Sequence, residues 1–254
     1  MNPQWIRPEW PAPANVSALI TTRAGGVSRG PYGAAAGGRG GMNIGLGSGD
    51  ERADVMANRA LLRVVLPAEP CWLTQVHGAA VVDARQVDAD ADAADASFTD
   101  APNVVCAVSI ADCMPVLLAD TSGRCVGVAH AGWRGLASGV IQATVHAMRQ
   151  RLDDSDAEML AYLGPAIGPR YFEVGPEVRE AMRTQLPDAE CAFAQHAEEK
   201  YFADLLALGQ QALAQAGVAR IYGGHDCTFS DPTRFYSFRR DGATGRHAAL
   251  IWRV

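Results

Sequence analysis

Three short motifs, each at the end of an apolar segment, constrain the fold of this chain more than any other feature of its sequence. They are Gln75-Val76-His77-Gly78, Ala111-Asp112-Cys113-Met114-Pro115 and Ala129-His130-Ala131-Gly132-Trp133-Arg134-Gly135. The motifs are far apart in the chain, so no two of them form a local chelate and only tertiary structure can bring them together. If it does, two imidazoles and one thiol converge, a ligand set that suits zinc with one coordination position left open. We therefore predict a metal site made of His77, Cys113 and His130.

The composition is that of an ordinary globular protein. The chain has 254 residues, 48% of them hydrophobic and 20% charged, and we find no internal repeat and no linker. This indicates one mixed α/β domain over residues 1–254 rather than two. No stretch approaches membrane-spanning length, and residues 1–13 lack the unbroken apolar run of a signal peptide. We therefore expect a cytoplasmic protein that does not bind membranes, and its six cysteines, which form no C-x-x-C pair, to be reduced.

The charge distribution restricts the ligands. The formal net charge is −6 and no basic run is present, so the chain lacks the electrostatic footprint of a nucleic-acid-binding protein. Lys200 is the only lysine, which excludes the lysine of a P-loop. Any anionic ligand is therefore expected to be small and to be bound by arginine, whose planar guanidinium group suits phosphate and carboxylate.

Hydrophobic patterning predicts alternating strands and helices. Strands are expected at residues 16–22, 71–76, 104–110, 115–119, 125–129, 159–163 and 247–252, each a short apolar or β-branched run bounded by polar or turn residues. Helices are expected from a cap at Asp50 to about Val65, and over residues 136–152, 176–183 and 201–216. In this prediction His77, Cys113 and His130 all lie at strand ends.

Several segments together resemble one known family. They are residues 21–28, 74–78, 111–115, 129–135, 164–168, 172–175, 227–228 and 237–242. In order, and over nearly the whole chain, they are similar to the YfiH-type laccase-domain family, whose members are known as polyphenol oxidases and as purine nucleoside phosphorylases. The resemblance implies a layered α/β sandwich of the YfiH/CNF-like type, with mixed sheets packed between helices, and one zinc held by His77, Cys113 and His130. A glycine- and alanine-rich insertion, predicted to be flexible, occupies residues 33–41 where family members are shorter.

The resemblance also implies an activity on purine nucleosides. Family members are associated with the phosphorolysis of adenosine, inosine, guanosine or methylthioadenosine to the sugar 1-phosphate and free base, and with deamination of adenosine. The older assignment is copper-dependent phenol oxidation. A multicopper laccase needs many histidines, often as His-x-His pairs, whereas this chain has six histidines and no such pair. A single blue-copper site with Met114 as axial ligand could not store the electrons that dioxygen reduction needs, so we favour phosphorolysis with zinc and keep copper as the alternative metal.

Phosphorolysis needs groups that bind phosphate, orient ribose and help the purine leave. The candidates for phosphate are Arg23, Arg134, Arg239 and Arg240. Asn43 and Glu173 are candidates for binding ribose or base. Asp112 is expected to relay a proton or to orient a metal ligand, and Glu173 is the other candidate for moving protons. Each of these residues also has an ordinary alternative role in a turn, a cap or a surface ion pair.

Two functions of other classes stay open at this point. In a hydrolase or deamidase without metal, Cys113 would be the nucleophile and His130 its base. In a metal-stabilised module without catalysis, a fourth protein ligand such as His225 or Cys227 would close the coordination shell. The partners expected overall are a purine nucleoside and phosphate, with no nucleic acid and no membrane, for a monomer or small homo-oligomer.

Overall fold

The computed structural model describes residues 5–34, 37–86 and 93–254. Within them the strands are β1 Val16–Ile20, β2 Ala24–Ser28, β3 Pro70–Cys71, β4 Val81–Asp83, β5 Ala96–Thr99, β6 Val105–Ile110, β7 Met114–Asp120, β8 Val126–Ala131, β9 Met159–Leu163, β10 Glu173–Val174, β11 Phe193–Ala197, β12 Lys200–Ala203, β13 Arg220–Gly223 and β14 His247–Arg253. The α-helices are α1 Arg52–Arg63, α2 Trp133–Ala137, α3 Val140–Leu152, α4 Pro176–Gln185, α5 Leu205–Gln215 and α6 Phe238–Asp241. Short 3-10 turns lie at Gly30–Tyr32, Leu46–Ser48 and Ala189–Ala192.

The strands form two larger mixed sheets and one small sheet among the described residues. The four-stranded sheet has the order β1-β14-β6-β3, and the six-stranded sheet has the order β13-β9-β7-β8-β5-β4. Each contains both parallel and antiparallel neighbours. The small sheet, β10-β12-β11, is antiparallel. The predicted mixed α/β layered sandwich is confirmed, with the small sheet as an addition to the expected pair.

The layers follow from three hydrophobic clusters. One lies between the two larger sheets, one between the six-stranded sheet and helices α2 to α5, and one between the four-stranded sheet and α1. Strand β7 is buried on both faces: Val116 and Leu118 face the helices, whereas Leu117 and Ala119 face the other sheet. A strand buried on both faces has no polar alternation. The order of layers is therefore helix, sheet, sheet, helices.

Three predicted elements differ from the structure. The strand predicted at residues 71–76 ends at Cys71, because the Gln75 amide takes over the pairing with Ser109 of β6: its Nε2 donates to the Ser109 carbonyl (2.9 Å) and its Oε1 accepts from the Ser109 N–H (2.7 Å). The helix predicted at 136–152 is two helices, separated at Gly139, whose φ of 80° a helix cannot contain. The helix predicted from residue 201 starts only after Asp204, which caps α5.

Two connections between the larger sheets set the position of the site. Residues 72–80 link β3 of the four-stranded sheet to β4 of the six-stranded sheet, and residues 111–113 link β6 to β7 in the same direction. The pairing of β7 with β8 joins Pro115 to His130, so Cys113 lies beside the end of β8. The fold therefore brings the three sequence motifs to one end of the double sheet.

None of the helices in the described parts of the chain has the length and apolar character needed to cross a membrane. In the segment predicted to be an insertion, residues 35 and 36 lie outside the described residues. Its described part is hydrogen bonded to neighbouring backbone: the Ala34 N–H donates to the Arg39 carbonyl, and the Gly40 carbonyl accepts from Gly25 and Gly26.

Candidate active site

His77, Cys113 and His130 form one compact group. Their ligand atoms all lie within 4.8 Å of one another. The two imidazole rings are 4.9 Å apart between centroids and inclined at 71°. His130 is buried, Cys113 is half-buried and His77 is exposed, so the group opens to solvent on one side. This arrangement has the donor types and the accessibility of a metal centre with an open position.

The backbone at this group is strained. His77 has φ 61° and Asp112, the residue before Cys113, has φ 86°. Non-glycine residues adopt this left-handed region rarely and at an energetic cost, which the surrounding structure must offset. Both residues lie in the connections between the two larger sheets, which carry His77 and Cys113. The strained backbone is therefore at the positions that orient these two side chains.

Asp95, immediately before β5, holds two of the three side chains in place. Its carboxylate accepts the backbone N–H groups of Val76 (3.1 Å), His77 (2.9 Å) and Gly78 (2.7 Å), and it contacts Nδ1 of His130 at 2.8 Å. With Nδ1 of His130 engaged in this way, Nε2 is the ring nitrogen available to the group. Carboxylates that orient a histidine ligand in this manner are a regular part of metal sites.

The protonation of the group favours a cation. Burial raises the pKa of the Cys113 thiol, but the neighbouring His130 and His77 outweigh burial and lower it to about 6. Burial also raises the pKa of Asp95, and the hydrogen bonds from His130, Gly78 and Val76 outweigh it and hold that pKa below its ordinary value. Cys113 and Asp95 in turn raise the pKa of His130 to about 9 against its burial, so the thiolate is paired with a protonated His130, and a bound cation would take the place of that proton.

Gly132 leaves the space that a metal ion at this group requires. A Cβ at this position would lie 2.7 Å from Cys113 Sγ and 3.4 Å from His77 Cδ2. The residue after Ala131 must therefore lack a side chain for the thiolate to keep its position. Together with the donor set of two imidazoles and one thiolate, this means that the residues present could hold a metal ion.

Replacing Asp95 with asparagine is expected to lower metal affinity by about 10–100-fold, because the amide cannot accept all the N–H groups that the carboxylate accepts and no longer orients His130 as an anion. Competition with a chromophoric chelator measures this change. Asp83→Asn is the matched control, since Asp83 is also a buried aspartate but pairs with Arg85 and Arg151 away from the group. Wild-type metal affinity in a folded Asp95→Asn variant would contradict the assigned role.

The metal-ligand group lies in a cleft of about 860 Å³. This is near the upper end of the size range of small-molecule sites. Besides the group itself and Asp112, the cleft is lined by Gly45, Leu46, Gly47, Ser48, Arg52, Arg59, Trp72, Leu73, Thr74, Gln75, Ser109, Ala111, Ile167, Phe172, Phe238, Arg239 and Arg246. Four arginines and several aromatic rings therefore surround the candidate metal centre.

Two of these arginines, Arg239 and Arg246, lie beside the metal-ligand group. The backbone N–H of Arg239 donates to Asp112 Oδ2 at 2.7 Å, and its guanidinium lies over the Phe172 ring and donates to the Glu173 carbonyl. Burial lowers the pKa of Arg246, while the nearby Cys113 and Asp112 act in the opposite direction. We call Arg239 and Arg246 the proximal arginines.

Other arginines predicted to bind phosphate lie elsewhere. Arg23 is buried and donates to the carbonyls of Gly33, Pro31 and Pro232. Arg240 donates to the carbonyls of Thr228, Phe229 and Phe235, and pairs with Asp241. Arg134 is exposed on α2 over the ring of Trp133. None of the three lines the cleft.

The polar residues predicted for the site also differ in whether they line the cleft. Asn43 is fully buried, and its amide bonds to Ser48, Asp50, Gly45 and the backbone of Arg246. It therefore holds the Gly45–Ser48 wall and Arg246 in place. Asp50, which bonds to Asn43 and Ser28, does not cap α1 as predicted; Glu51 is the N-cap residue.

The two carboxylates predicted to handle protons are in different surroundings. Asp112 is buried, and it accepts from Thr228 Oγ1 at 2.6 Å as well as from Arg239 N. It ties the β6–β7 connection to α6 at the cleft. Glu173 is exposed, and its carboxylate lies near His196 (3.7 Å) and Lys200 (3.9 Å) of the small sheet.

Sequence reasoning did not identify Asp95, Arg246, Arg59 or Phe238. Asp95 precedes β5, whose first residue, Ala96, pairs with Ala129 beside His130, but this strand was not predicted from the sequence. The pattern near Asp95 was obscured by the aspartate-rich run before it. Phe238 lies in segment 237–242, where attention went to the neighbouring arginines, and Arg246 and Arg59 carry no local motif. Only the pairing of β14 with β6 and the packing of α1 and α6 bring these three residues to the cleft.

Comparisons with known proteins agree in covering the whole chain. A family model described as Multi-copper polyphenol oxidoreductase laccase matches residues 17–254. Purine nucleoside phosphorylase PA4543 of Pseudomonas aeruginosa is 45% identical over 249 residues, which cover 98% of each chain. Purine nucleoside phosphorylase YfiH of Escherichia coli is 45% identical over 251 residues, again with 98% of each chain covered.

Solved structures show the same similarity. Neisseria meningitidis protein NMB0706 superposes with a TM-score of 0.89 at 45% identity, over 98% of this chain and 99% of that one. YlmD of Geobacillus stearothermophilus superposes with a TM-score of 0.84 at 33% identity, over 94% and 92% of the two chains.

Proposed function

The chain belongs to the Multi-copper polyphenol oxidoreductase laccase family, and from this premise we propose that it is a purine nucleoside phosphorylase with a metal centre in its active site. The observation that carries the proposal is the cleft, in which the metal-ligand group, the proximal arginines and an exposed aromatic ring lie together. In the reaction an oxygen of inorganic phosphate bonds to C1′ as the bond from C1′ to the purine breaks. The products are ribose 1-phosphate and the free base.

The proximal arginines are the proposed phosphate site. Guanidinium groups bind phosphate through paired N–H donors, and such charge-assisted bonds strengthen in a cleft from which water is partly excluded. Arg239 is held by its contacts with Asp112, Phe172 and Glu173. Arg246 is held through Asn43 and its own bonds to the Thr244 and Gly245 carbonyls. Both are positioned before a ligand arrives, which limits the entropic cost of binding.

Phe238 is the proposed surface for the purine. It lines the cleft and 58% of its surface is exposed, so its ring is accessible to a ligand. Stacking of a base on an aromatic ring is favourable for every base because each has a π face. Asp112, whose carboxylate is engaged by Thr228 and Arg239, is assigned the positioning of Cys113 and Arg239 in this proposal.

Zinc is the proposed metal, held by His77, Cys113 and His130. When bound there it would supply a Lewis acid at the open side of the group. A blue-copper site needs an axial ligand such as methionine. Met114 does not favour one, since its side chain packs in the core against Gly209 of α5, where a Cβ would lie 2.1 Å from its Cε.

The test is a panel of adenosine, inosine, guanosine and methylthioadenosine, incubated with and without phosphate and followed by separation of the products. We expect base and sugar 1-phosphate to appear only when phosphate is present. Inosine formed from adenosine without phosphate would reveal the deaminase activity proposed as a side reaction. If no nucleoside is cleaved by folded, metal-loaded protein, the proposal fails.

One observation favours a second candidate. Asp95, His130 and Cys113 are arranged as orienting acid, base and nucleophile, so a metal-free Cys–His hydrolase is also compatible with the geometry. Removing metal with a chelator distinguishes the two. Loss of activity that zinc restores supports the phosphorylase, whereas activity that persists without metal supports the hydrolase. The cytoplasmic location, the absence of nucleic-acid partners and the oligomeric state stay predictions.

A further inference from the structure

We propose that the cleft contains a second anion subsite, formed by Arg52 and Arg59 of α1, and that its ligand is the 5′-phosphate of a purine nucleotide. We call these two residues the distal arginines. The inference rests on the proposed function and names a substrate class for it: purine nucleoside 5′-monophosphates.

The distal arginines are presented together. They are seven residues apart in α1, about two helical turns, and so lie on the same face of the helix. Both line the cleft. The Arg59 guanidinium lies 4.2 Å from the centroid of the Trp72 ring, and its Nε donates to the Ile44 carbonyl at 3.0 Å. These contacts fix its position before a ligand binds.

Arg52 has no evident structural purpose. It is the first residue of α1, where the helix dipole favours an acidic side chain and disfavours a cation. It is exposed and, among the residues that the structure describes, it forms no ion pair with a carboxylate. A cation at the mouth of a cleft and at the unfavourable end of a helix is explained if an anion binds next to it.

Arg239 and the distal arginines project from different layers of the sandwich. Arg59 rests on Trp72, which belongs to the cluster between the four-stranded sheet and α1. Arg239 rests on Phe172, which belongs to the cluster between the six-stranded sheet and the other helices. Arg246 lies next to Arg59, since Ile44 donates its N–H to the Arg246 carbonyl and its carbonyl accepts from Arg59 Nε. We assign Arg239 and Arg246 to inorganic phosphate and the distal arginines to the 5′-phosphate.

A purine nucleotide satisfies both sites at once. In the proposed reaction inorganic phosphate at the proximal arginines attacks C1′, and C5′ leaves the opposite side of the ribose ring toward the distal arginines. The bond from phosphate oxygen to C1′ forms, the bond from C1′ to N9 breaks, and the base takes the electron pair together with a proton that balances the one lost by hydrogen phosphate. The product is ribose 1,5-bisphosphate, with no change of oxidation state.

The experiment compares AMP with adenosine at a fixed phosphate concentration, using the metal-loaded full chain. We expect kcat/KM for AMP to exceed that for adenosine by about tenfold or more, since each charge-assisted contact contributes on this scale. Arg52→Gln is expected to lower the AMP-to-adenosine ratio of kcat/KM by about tenfold. Binding of AMP without phosphate, measured by calorimetry, should weaken in parallel.

Arg220, on β13, forms an exposed ion pair with Glu158. Arg220→Gln is the matched control, because it removes the same charge as Arg52→Gln. It should leave the ratio of kcat/KM values for AMP and adenosine unchanged.

If adenosine is cleaved but AMP neither binds nor reacts, the inference is overturned while the proposed function stands. If Arg52→Gln instead raises the KM for inorganic phosphate with adenosine as substrate, the distal arginines serve free phosphate and the inference is also overturned. AMP binding that depends on Arg52 without cleavage of any nucleoside would support the subsite and refute the phosphorylase.

Discussion

Replacing Cys113 with alanine is expected to release the metal and to abolish phosphorolysis. The thiolate is the only anionic ligand in the group, and its pKa is already lowered to about 6 by His130 and His77. Removing it leaves two imidazoles, one of them exposed. The loss of metal affinity should exceed the roughly 10–100-fold that accompanies removal of a residue that only orients a ligand. Metal content of the purified protein, measured by mass spectrometry, and activity on adenosine with phosphate are the two readouts.

The control for this variant is Cys191→Ala. Cys191 is exposed, lies near Asp188 and Gln211, and is remote from the three motifs. It should keep the metal and the activity. Stoichiometric metal in folded Cys113→Ala protein would show that the metal, if present, is held elsewhere. Activity lost in Cys113→Ala while the wild type works equally well without metal would indicate nucleophilic catalysis by the thiol.

Replacing Arg246 with glutamine is also expected to reduce phosphorolysis strongly, through the loss of a phosphate contact rather than the loss of the metal. Arg246 lines the cleft near Cys113 and Asp112, and burial lowers its pKa, so its charge is poorly solvated. Loss of a preorganised donor to a developing charge reduces kcat by about 10²–10³. We therefore expect kcat/KM for phosphate to fall by at least about a hundredfold. Initial rates over a range of phosphate concentrations measure this effect.

Metal content separates the two variants, since Arg246→Gln should keep its metal. Arg246→Lys is the informative partner variant: it retains the charge but not the planar fork, and should recover part of the phosphate affinity. Arg179→Gln, which removes a surface ion pair with Glu190, is the control for charge alone. An unchanged dependence on phosphate in Arg246→Gln would remove this residue from the phosphate site.

Strands could be predicted from the sequence where their hydrophobic pattern matches their burial in the structure. Strand β9 was predicted with the bounds that the structure has, and β7 and β14 differ by a residue at most at each end. Strand β5, by contrast, was missed. Its sequence, Ala96–Thr99, alternates apolar and polar residues, but four residues are too few to distinguish a strand from a loop, and the polar Ser97 and Thr99 are themselves buried.

The candidate site was predictable to the same extent. The motifs that contain His77, Cys113 and His130 offer side chains that bind metal ions, so these residues could be singled out before the fold was known. Arg246 and Arg59 do not, because an arginine in sequence looks the same whether it binds phosphate, stacks on a ring or lies in solvent. Arg23 and Arg240 illustrate the reverse case: they lie in segments that resemble the family, yet neither lines the cleft.

The sequence by itself determined the class of the fold, the three metal-ligand candidates and the expectation of a small anionic ligand, because these depend on residue type and on periodicity along the chain. Tertiary structure was needed to show which arginines line the cleft, that Asp95 orients His130, and that the connections between the two sheets bring the three motifs together. The reason is physical. Such contacts are set by strand register and by the packing of layers, and these arise from residues far apart in the chain.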